Sequence, residues 1–325
     1  MHIPLVDAFA SLVRNVRSSS RIRLDHTITI ATGAHGNAQA THTLLASLFR
    51  SVKGDYELIL VDDSSPDQGA TLQTFKDAAA LHHNTRIFAF SENQEYSGSL
   101  RTILSHASGD YIFFLSNDMI VSSEYFRLLL SVARKEPTAG ILRGSSNFVD
   151  NGLASHNLAP SRPIDTLKDV QAEARDVAER FGEGHQPDPY LTGDAFLTTR
   201  TLIDAIGVFD PLFFGYFADH DFGLRSRIAG FSNLLVPGAY VYHCRDANFE
   251  VLPDAERRIR RETRWARVHA NWEHFKDKYD LPKEQPYTGI NHIPWAELEK
   301  AEFAPSKHYR APGDYTANLI DPAEG

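Results

Sequence analysis

Short apolar runs alternate with helically spaced apolar residues through the N-terminal half of the chain. The runs predict strands, and residues 56–61 are apolar enough for a strand that is buried on both faces. Between the runs, apolar residues recur at every third or fourth position, which predicts amphipathic helices. The predicted strands are 26–31, 56–61, 86–90 and 110–115, and the predicted helices are 40–52, 72–81, 98–107 and 124–134. This alternation predicts an α/β fold with a mostly parallel central sheet flanked by helices.

The second half of the chain has a less regular pattern. Residues 144–162 contain Gly, Ser, Asn and Pro throughout, which predicts a loop. Apolar residues from Leu167 to Phe181 then follow helical spacing, so a helix should end at Gly182. Further predicted strands are 195–198, 233–236 and 239–242, and the apolar stripe from 265 to 279 predicts one long C-terminal helix.

These patterns divide the 325 residues into three parts. Residues 25–250 should form the α/β domain, and residues 251–325 a C-terminal helical extension and tail that pack on it. Residues 1–24 mix apolar residues with arginines and lack an uninterrupted apolar core, which predicts an amphipathic segment rather than a signal peptide. A basic amphipathic segment is also typical of peripheral membrane association, and that alternative stays open.

Composition narrows the function classes. Hydrophobic residues make up 42% and charged residues 23% of the chain, as in ordinary soluble globular proteins. The net charge of −9 argues against nucleic-acid binding, which needs clustered positive charge. The single cysteine, Cys244, excludes an internal disulfide and fits a cytoplasmic location, with the inner face of the membrane as the alternative. Composition does not predict an oligomeric state.

Polar residues follow two of the predicted strands, at the place where open parallel sheets bind ligands. Asp62 and Asp63 come after strand 56–61, and Asn117 and Asp118 come after strand 110–115. Each pair alone is more often a helix cap or a turn former than a binding site.

A further acidic cluster, Asp219-His220-Asp221, precedes a predicted helix, and His243 ends a predicted strand. Carboxylates with one imidazole offer a site for Mg²⁺ or Mn²⁺, and the imidazole favours Mn²⁺. The rival nucleotide-binding motifs are missing: the sequence has no P-loop, and residues 32–37 do not fit G-x-G-x-x-G.

Six segments carry a resemblance to a known family. The segment 57–67, ELILVDDSSPD, places an Asp-Asp-x-Ser turn after a strand, and 217–225, FADHDFGLR, places two acids at a helix start. The other four segments are 93–112, 193–197, 206–210 and 237–243. In this order and at these spacings, roughly residues 27–280 resemble family 2 glycosyltransferases of the GT-A fold. These are inverting enzymes that use nucleotide-activated sugars.

The resemblance implies a nucleotide site formed by four residues. Asp63 would accept the N3–H of the donor base, with Thr32 nearby, and Asn117 would face the ribose. Arg101 lies where a polar residue of the family faces the nucleotide, although a surface arginine is an equally good interpretation.

The resemblance also implies the groups that carry the reaction. Asp118 and His243 would bind Mn²⁺ or Mg²⁺, and Asp219 would be the general base that takes the proton of the acceptor hydroxyl. Asp194 and Asp221 would hold sugar hydroxyls, with helix capping as the alternative for Asp221.

The expected function is therefore transfer of a sugar from a UDP- or dTDP-sugar to a hydroxyl of a glycan or lipid-linked acceptor, as in polysaccharide biosynthesis. The sequence departs from the family pattern in three ways: Ala34 replaces an aromatic residue, Ser116-Asn117 replaces a carboxylate, and Ala218 replaces a Glu. These departures keep open a non-catalytic nucleotide-sugar-binding module. A sugar nucleotidyltransferase is a weaker alternative, because residues 32–37 contain no Lys or Arg for a triphosphate.

Overall fold

The computed structural model describes residues 21–149, 153–188, 190–244, 254–313 and 319–320. Most of the expected N-terminal segment, residues 1–20, lies outside the described residues. Its last residues form strand β1 (Ile22–Leu24), which pairs in parallel with β3 (Val52–Gly54) in a small separate sheet. The expected boundary at residue 24 therefore falls at the end of a strand.

Four parallel strands form the first half of the main sheet, as the apolar pattern predicted. They lie in the order β5, β4, β2, β6, and β4 is buried along its whole length. Their bounds are β2 (Ile28–Ala34), β4 (Glu57–Asp62), β5 (Thr85–Phe90) and β6 (Tyr111–Leu115). The helices that connect them are α1 (Ala38–Ser51), α2 (Ala70–Leu81) and α3 (Glu95–His106).

The second half of the sheet is mixed rather than parallel. Beyond β6 the strand order is β10, β8, β11 and β7, with only the β8–β11 pair parallel. These strands are β7 (Met119–Ile120), β8 (Ala139–Ser146), β10 (Ala195–Thr199) and β11 (Ser232–His243). Two short strands, β9 (Gln186–Pro187) and β12 (Leu319–Ile320), pair antiparallel with β11 and β5. The helices of this half are α4 (Ser123–Lys135), α5 (Leu167–Phe181), α6 (Arg200–Ile206) and α7 (Ala218–Ile228).

Strand β8 corrects the prediction that a loop begins at residue 144. All eight residues of β8 are buried, although Gly, Arg and Ser occupy its second half. A Cβ at Gly144 would lie 1.6 Å from the carbonyl oxygen of Ala239 on β11, so only glycine lets the two strands approach this closely. Here glycine marks close packing rather than a turn.

Apolar side chains cover both faces of the sheet. Leu58 and Leu60 on β4 pack in the core that contains α1 and α4. Ile59 and Val61 point the other way, into the core that contains α3, α7 and the long helix α8 (Asp254–Lys278). Helix α8 confirms the predicted C-terminal helix, and its buried stripe includes Trp272.

After α8 the chain returns to the sheet domain. It forms a 3-10 turn (Ile290–His292) and two short helices, α9 (Trp295–Leu298) and α10 (Pro305–His308). The backbone N–H of Val208 donates to the carbonyl oxygen of Arg310 at 2.8 Å, next to Gly207. A Cβ at Gly207 would lie 1.6 Å from that same oxygen. Among the described residues, no helix is both long and apolar enough to cross a membrane.

Candidate active site

The carboxyl ends of the parallel strands bring the predicted nucleotide residues together. Asp62, the last residue of β4, is paired in register with Ala34, the last residue of β2. The backbone N–H of Asp63 then donates to the carbonyl oxygen of Ala34 at 2.8 Å. Asp63 therefore lies beside the end of β2, the strand that carries Thr32.

Asp63 is a buried carboxyl group held by the loop before α3. Its Oδ1 accepts the backbone N–H of Gln94 at 2.6 Å, and its exposed fraction is 3%. Burial raises the pKa of Asp63 to about 6, although the hydrogen bond from Gln94 and the nearby His35 act in the opposite direction. The group is positioned to accept one further hydrogen bond while it is ionised.

The other three predicted nucleotide residues lie on β2, on α3 and after β6. The Thr32 hydroxyl is buried and has no hydrogen-bond partner among the described residues. Arg101, on α3, is only 8% exposed, so the interpretation as a surface arginine is wrong. The Asn117 Nδ2 donates to the carbonyl oxygen of Gly36 at 3.2 Å and to the Thr41 hydroxyl at 3.0 Å, which fixes the loop after β2.

The structure brings Asp118 and His243 into contact. The Nε2 of His243 lies 3.2 Å from Oδ2 of Asp118, because β11 and β7 pair there with His243 opposite Met119. The other ring nitrogen, Nδ1, lies 3.1 Å from the carbonyl oxygen of Phe148. Burial lowers the pKa of His243, but the hydrogen bond and charge of Asp118 outweigh it and raise the pKa to about 9.

Asp194 follows Gly193, which donates its backbone N–H to the predicted base, Asp219. It is held by Arg143 of β8, whose Nη2 is 3.1 Å from its Oδ1. Its negative charge raises the pKa of both His243 and Tyr96, and the pKa of Tyr96 also responds to Asp219. The Arg143 guanidinium is almost completely buried and was not foreseen, because its strand was partly predicted as a loop.

Asp219 lies in the first turn of α7, two residues after Phe217, which has the left-handed backbone conformation. Its two carboxylate oxygens accept the backbone N–H groups of Gly193 and His220, each at 2.9 Å. The side chain remains 16% exposed. These contacts link α7 to the segment before β10 and leave the carboxylate accessible.

Family comparison agrees with this architecture. Residues 29–206 match the family described as Glycosyl transferase family 2, which is more than half of the chain. The chain belongs to this family. The match ends before Asp219 and His243, so the placement of these two residues rests on the geometry above.

Two relatives are similar to this chain in sequence. The N-acetylglucosaminyl-diphospho-decaprenol L-rhamnosyltransferase of Mycobacterium tuberculosis is 25% identical over 225 residues, 61% of this chain and 70% of that protein. The uncharacterized protein y4gI of Sinorhizobium fredii is 22% identical over 231 residues, which are 68% of this chain but only 25% of y4gI. The chain thus spans about a quarter of that relative's length.

A solved structure supports the fold. The mannosyltransferase PcManGT of Pyrobaculum calidifontis, in complex with GDP-Man and Mn²⁺, has a TM-score of 0.52. The two chains are 16% identical, and the similarity covers 82% of this chain and 70% of that one. At this identity the likeness shows the fold alone, which is the GT-A fold expected from the resemblance.

One predicted site residue of this glycosyltransferase needs correction. Asp221 is fully buried, so it is not available to a sugar hydroxyl, and its side chain does not cap α7. Its oxygens accept hydrogen bonds from Arg225 at 2.7 Å and Tyr279 at 2.8 Å, and from Lys278. Burial raises the pKa of Asp221, but Lys278 and Arg225 outweigh it and lower the pKa to about 2. Asp221 therefore joins α7 to the C-terminal helix.

We expect Asp221→Asn to lower the free energy of unfolding by about 3 kcal/mol, because it leaves buried cations without their counter-charge. Since the folded-state pKa is depressed, the contribution of Asp221 is present above about pH 4 and is lost as the pH falls toward 2. Urea unfolding at pH 7 measures the effect, with the exposed Asp277 of α8, as Asp277→Asn, for the control. Equal unfolding midpoints for the two variants would contradict the assignment.

Proposed function

We propose that the chain transfers a sugar from a UDP- or dTDP-sugar to a hydroxyl of a glycan or lipid-linked acceptor, with inversion at the anomeric carbon. The observation that carries the proposal is the arrangement around Asp194. Its carbonyl oxygen accepts the backbone N–H of Ser116, two residues before Asp118, at 2.8 Å, and the preceding Gly193 donates its backbone N–H to Asp219 at 2.9 Å. A metal-binding pair and a general base therefore share one edge of the sheet with the buried acceptor Asp63.

Asp63 supports a pyrimidine donor. A carboxylate accepts the N3–H of uracil or thymine, whereas adenine has no N–H at the corresponding ring position. With Oδ1 bonded to Gln94, the second oxygen of Asp63 takes no hydrogen bond from the described residues. The unpartnered Thr32 hydroxyl lies at the adjoining strand and provides a further polar group for the nucleoside.

The Asp118–His243 pair fits a divalent cation. The carbonyl oxygen of Phe148 faces Nδ1 of His243, so Nδ1 carries a proton, and a bound cation would replace the proton of Nε2 beside Asp118. Among the described residues, no group of three or more His, Cys, Asp or Glu side chains could hold a metal. Two protein ligands suit Mg²⁺ or Mn²⁺ that shares the oxygens of a diphosphate, and PcManGT was solved with Mn²⁺. The bound cation would offset the charge that develops on the leaving diphosphate.

Two carboxylates of the protein would act on the acceptor hydroxyl and on the sugar. Asp219 would accept the proton of the attacking hydroxyl, while Gly193 and His220 hold its carboxylate in place. Asp194, oriented by Arg143, would hold a sugar hydroxyl next to it. The rhamnosyltransferase relative is named for a glycan on a lipid diphosphate, which supports the acceptor class.

We expect UDP or dTDP, with Mn²⁺, to bind more tightly than ADP, and Asp63→Ala to weaken UDP binding by about 1.5–3 kcal/mol. Calorimetry on the purified chain tests both. Because the pKa of Asp63 is raised to about 6 and only the carboxylate accepts N3–H, UDP affinity should fall as the pH drops through 6.

Asp63→Asn is the control for this titration, because the phosphates of UDP also take up protons in the same range. The variant lacks the titrating carboxylate, so subtracting its pH profile isolates the contribution of Asp63. Identical profiles for wild type and Asp63→Asn would remove Asp63 from base recognition. Failure of the wild type to bind any pyrimidine diphosphate would contradict the proposed donor.

A further inference from the structure

The hydroxyl of Tyr96 is buried beside the proposed base without a hydrogen bond. Tyr96 lies in the first turn of α3, and its Oη has no partner among the described residues. A Cβ on Gly193 would lie 1.4 Å from that oxygen and 3.0 Å from Cβ of Asp219. Gly193 also donates its backbone N–H to Asp219. The phenol therefore lies against the glycine that holds the carboxylate of Asp219.

The backbone before Tyr96 is held in an unusual conformation. Glu95 has a φ of 58°, in the left-handed region that favours glycine. Its backbone N–H donates to Oδ1 of Asn93 at 2.7 Å, and its carboxylate pairs with Arg267 of α8. Such strain persists only where surrounding contacts enforce it, and it is concentrated at functional sites. Glu95 directly precedes Tyr96, whose hydroxyl lies against Gly193.

The neighbours of Tyr96 are apolar on one side and acidic on the other. Its ring meets Phe114 and Phe209 edge-on, with centroid separations of 5.8 and 6.1 Å. Burial raises the pKa of Tyr96, and the charges of Asp219 and Asp194 raise it further, so the phenol stays protonated. A protonated phenol beside carboxylates can only stabilise them by donating a hydrogen bond.

We infer that Tyr96 is a positioning residue, whose hydroxyl donates to the Asp219 carboxylate when substrate is bound and orients it toward the acceptor. The inference rests on the proposed role of Asp219. Catalytic hydrogen bonds are often loose in unliganded proteins and tighten in the substrate complex, which accounts for the missing bond here. A buried hydroxyl that stays unpaired lowers stability, so a gain in the bound state explains why the group is present.

Tyr96→Phe tests the inference, because it keeps the ring contacts and removes only the hydroxyl. We expect kcat to fall about tenfold or more, the loss of one hydrogen bond to a charged group, with an unchanged KM for the donor. The melting temperature should stay equal or rise, since an unpaired buried polar atom has been removed. A purely structural tyrosine would lose stability and activity together.

Tyr240→Phe is the matched control. The Tyr240 hydroxyl is also buried without a partner, but it packs on α5, away from Asp219. This variant should show the same stability response with wild-type kcat. A second experiment uses Gly193→Ala, because the added methyl group would displace the phenol of Tyr96. The double variant with Tyr96→Phe should lose less kcat than the product of the two single losses.

The outcomes separate this inference from the proposed function. Wild-type kcat in Tyr96→Phe, a raised donor KM alone, or a joint fall in kcat and melting temperature would each overturn the inference. If Asp219→Asn loses turnover while Tyr96→Phe keeps it, only the positioning role fails. If Asp219→Asn keeps turnover, the base assignment fails first, and the role of Tyr96 fails with it.

Discussion

Asp118→Asn should abolish the metal dependence of nucleotide binding and lower turnover about a thousandfold. The substitution keeps the shape of the side chain but replaces a carboxylate by a neutral amide, which is a weak ligand for Mn²⁺ or Mg²⁺. Loss of charge stabilisation on the leaving diphosphate removes several kcal/mol of transition-state stabilisation, and about 4 kcal/mol corresponds to that rate. Calorimetry of UDP with Mn²⁺ and with a chelator measures the binding side, and donor turnover measures the rate.

The chain offers a matched control for this variant. Nε2 of His156 lies 2.9 Å from Oδ1 of Asp188, and both side chains are buried. This second Asp–His pair is not part of the proposed metal or nucleotide site. Asp188→Asn removes the same carboxylate chemistry, so it should lower stability and leave the Mn²⁺ dependence of UDP binding unchanged. Equal Mn²⁺ dependence in Asp118→Asn and wild type would refute the metal assignment. Loss of Mn²⁺ dependence in both variants would mean that the lower stability of the variants, rather than the loss of a metal ligand, changes UDP binding.

Much of the fold could be predicted because apolar periodicity reports burial directly. The longer strands and the helices of the first half, from β2 through α4, were predicted within a few residues, whereas the short strands β3 and β7 were not predicted. Strands β2, β4 and β6 are buried on both faces and each helix packs on one, which are the patterns that sequence alone displays. Because these strands were predicted, the positions of their carboxyl ends were predicted too. Asp63 and Asp118 come shortly after the ends of β4 and β6.

Strand β8 and its buried arginine were not fully predicted, because they depend on tertiary contacts that the spacing of apolar residues does not show. Strand β8 was partly predicted as a loop because Gly144 and the serines after it resemble a turn, whereas they allow close packing against β11. Buried Arg143 on that strand was therefore missed. The nearest signal was an arginine inside the apolar run AGILRGSS, since a buried arginine needs a carboxylate such as Asp194.

The different roles of Asp219 and Asp221 also depend on tertiary contacts that the sequence does not show. They are two residues apart in the first turn of α7, and the sequence predicted Asp219 as the base and Asp221 as a sugar ligand or helix cap. Two residues along a helix is a rotation of about 200°, so the side chains point to opposite sides. Asp219 reaches the strand ends, whereas Asp221 reaches Lys278, whose position depends on how α8 packs.

Asp219→Asn should lower turnover by about 10²–10⁴ while nucleotide binding persists, because asparagine cannot take the acceptor proton. The contacts of Asp219 also predict a small loss of stability in this variant. Both oxygens of Asp219 accept backbone N–H groups, and an amide can satisfy only one of them, so a loss of about 1 kcal/mol is expected. Turnover with acceptor, UDP affinity with Mn²⁺, and the melting temperature must therefore be measured on the same preparation.

The three measurements together decide between an enzyme and a binding module. The buried Asp221 cannot serve as the comparison, because its loss weakens the fold itself. UDP affinity of the Asp219→Asn variant is the internal control, since Asp63, Asp118 and His243 remain in place. Wild-type affinity with a hundredfold lower turnover identifies Asp219 as the base. Near-normal transfer would remove it from the mechanism. If wild type binds donor yet transfers to no hydroxyl acceptor, while Asp219→Asn binds it equally, the chain is a nucleotide-sugar-binding module and not a transferase.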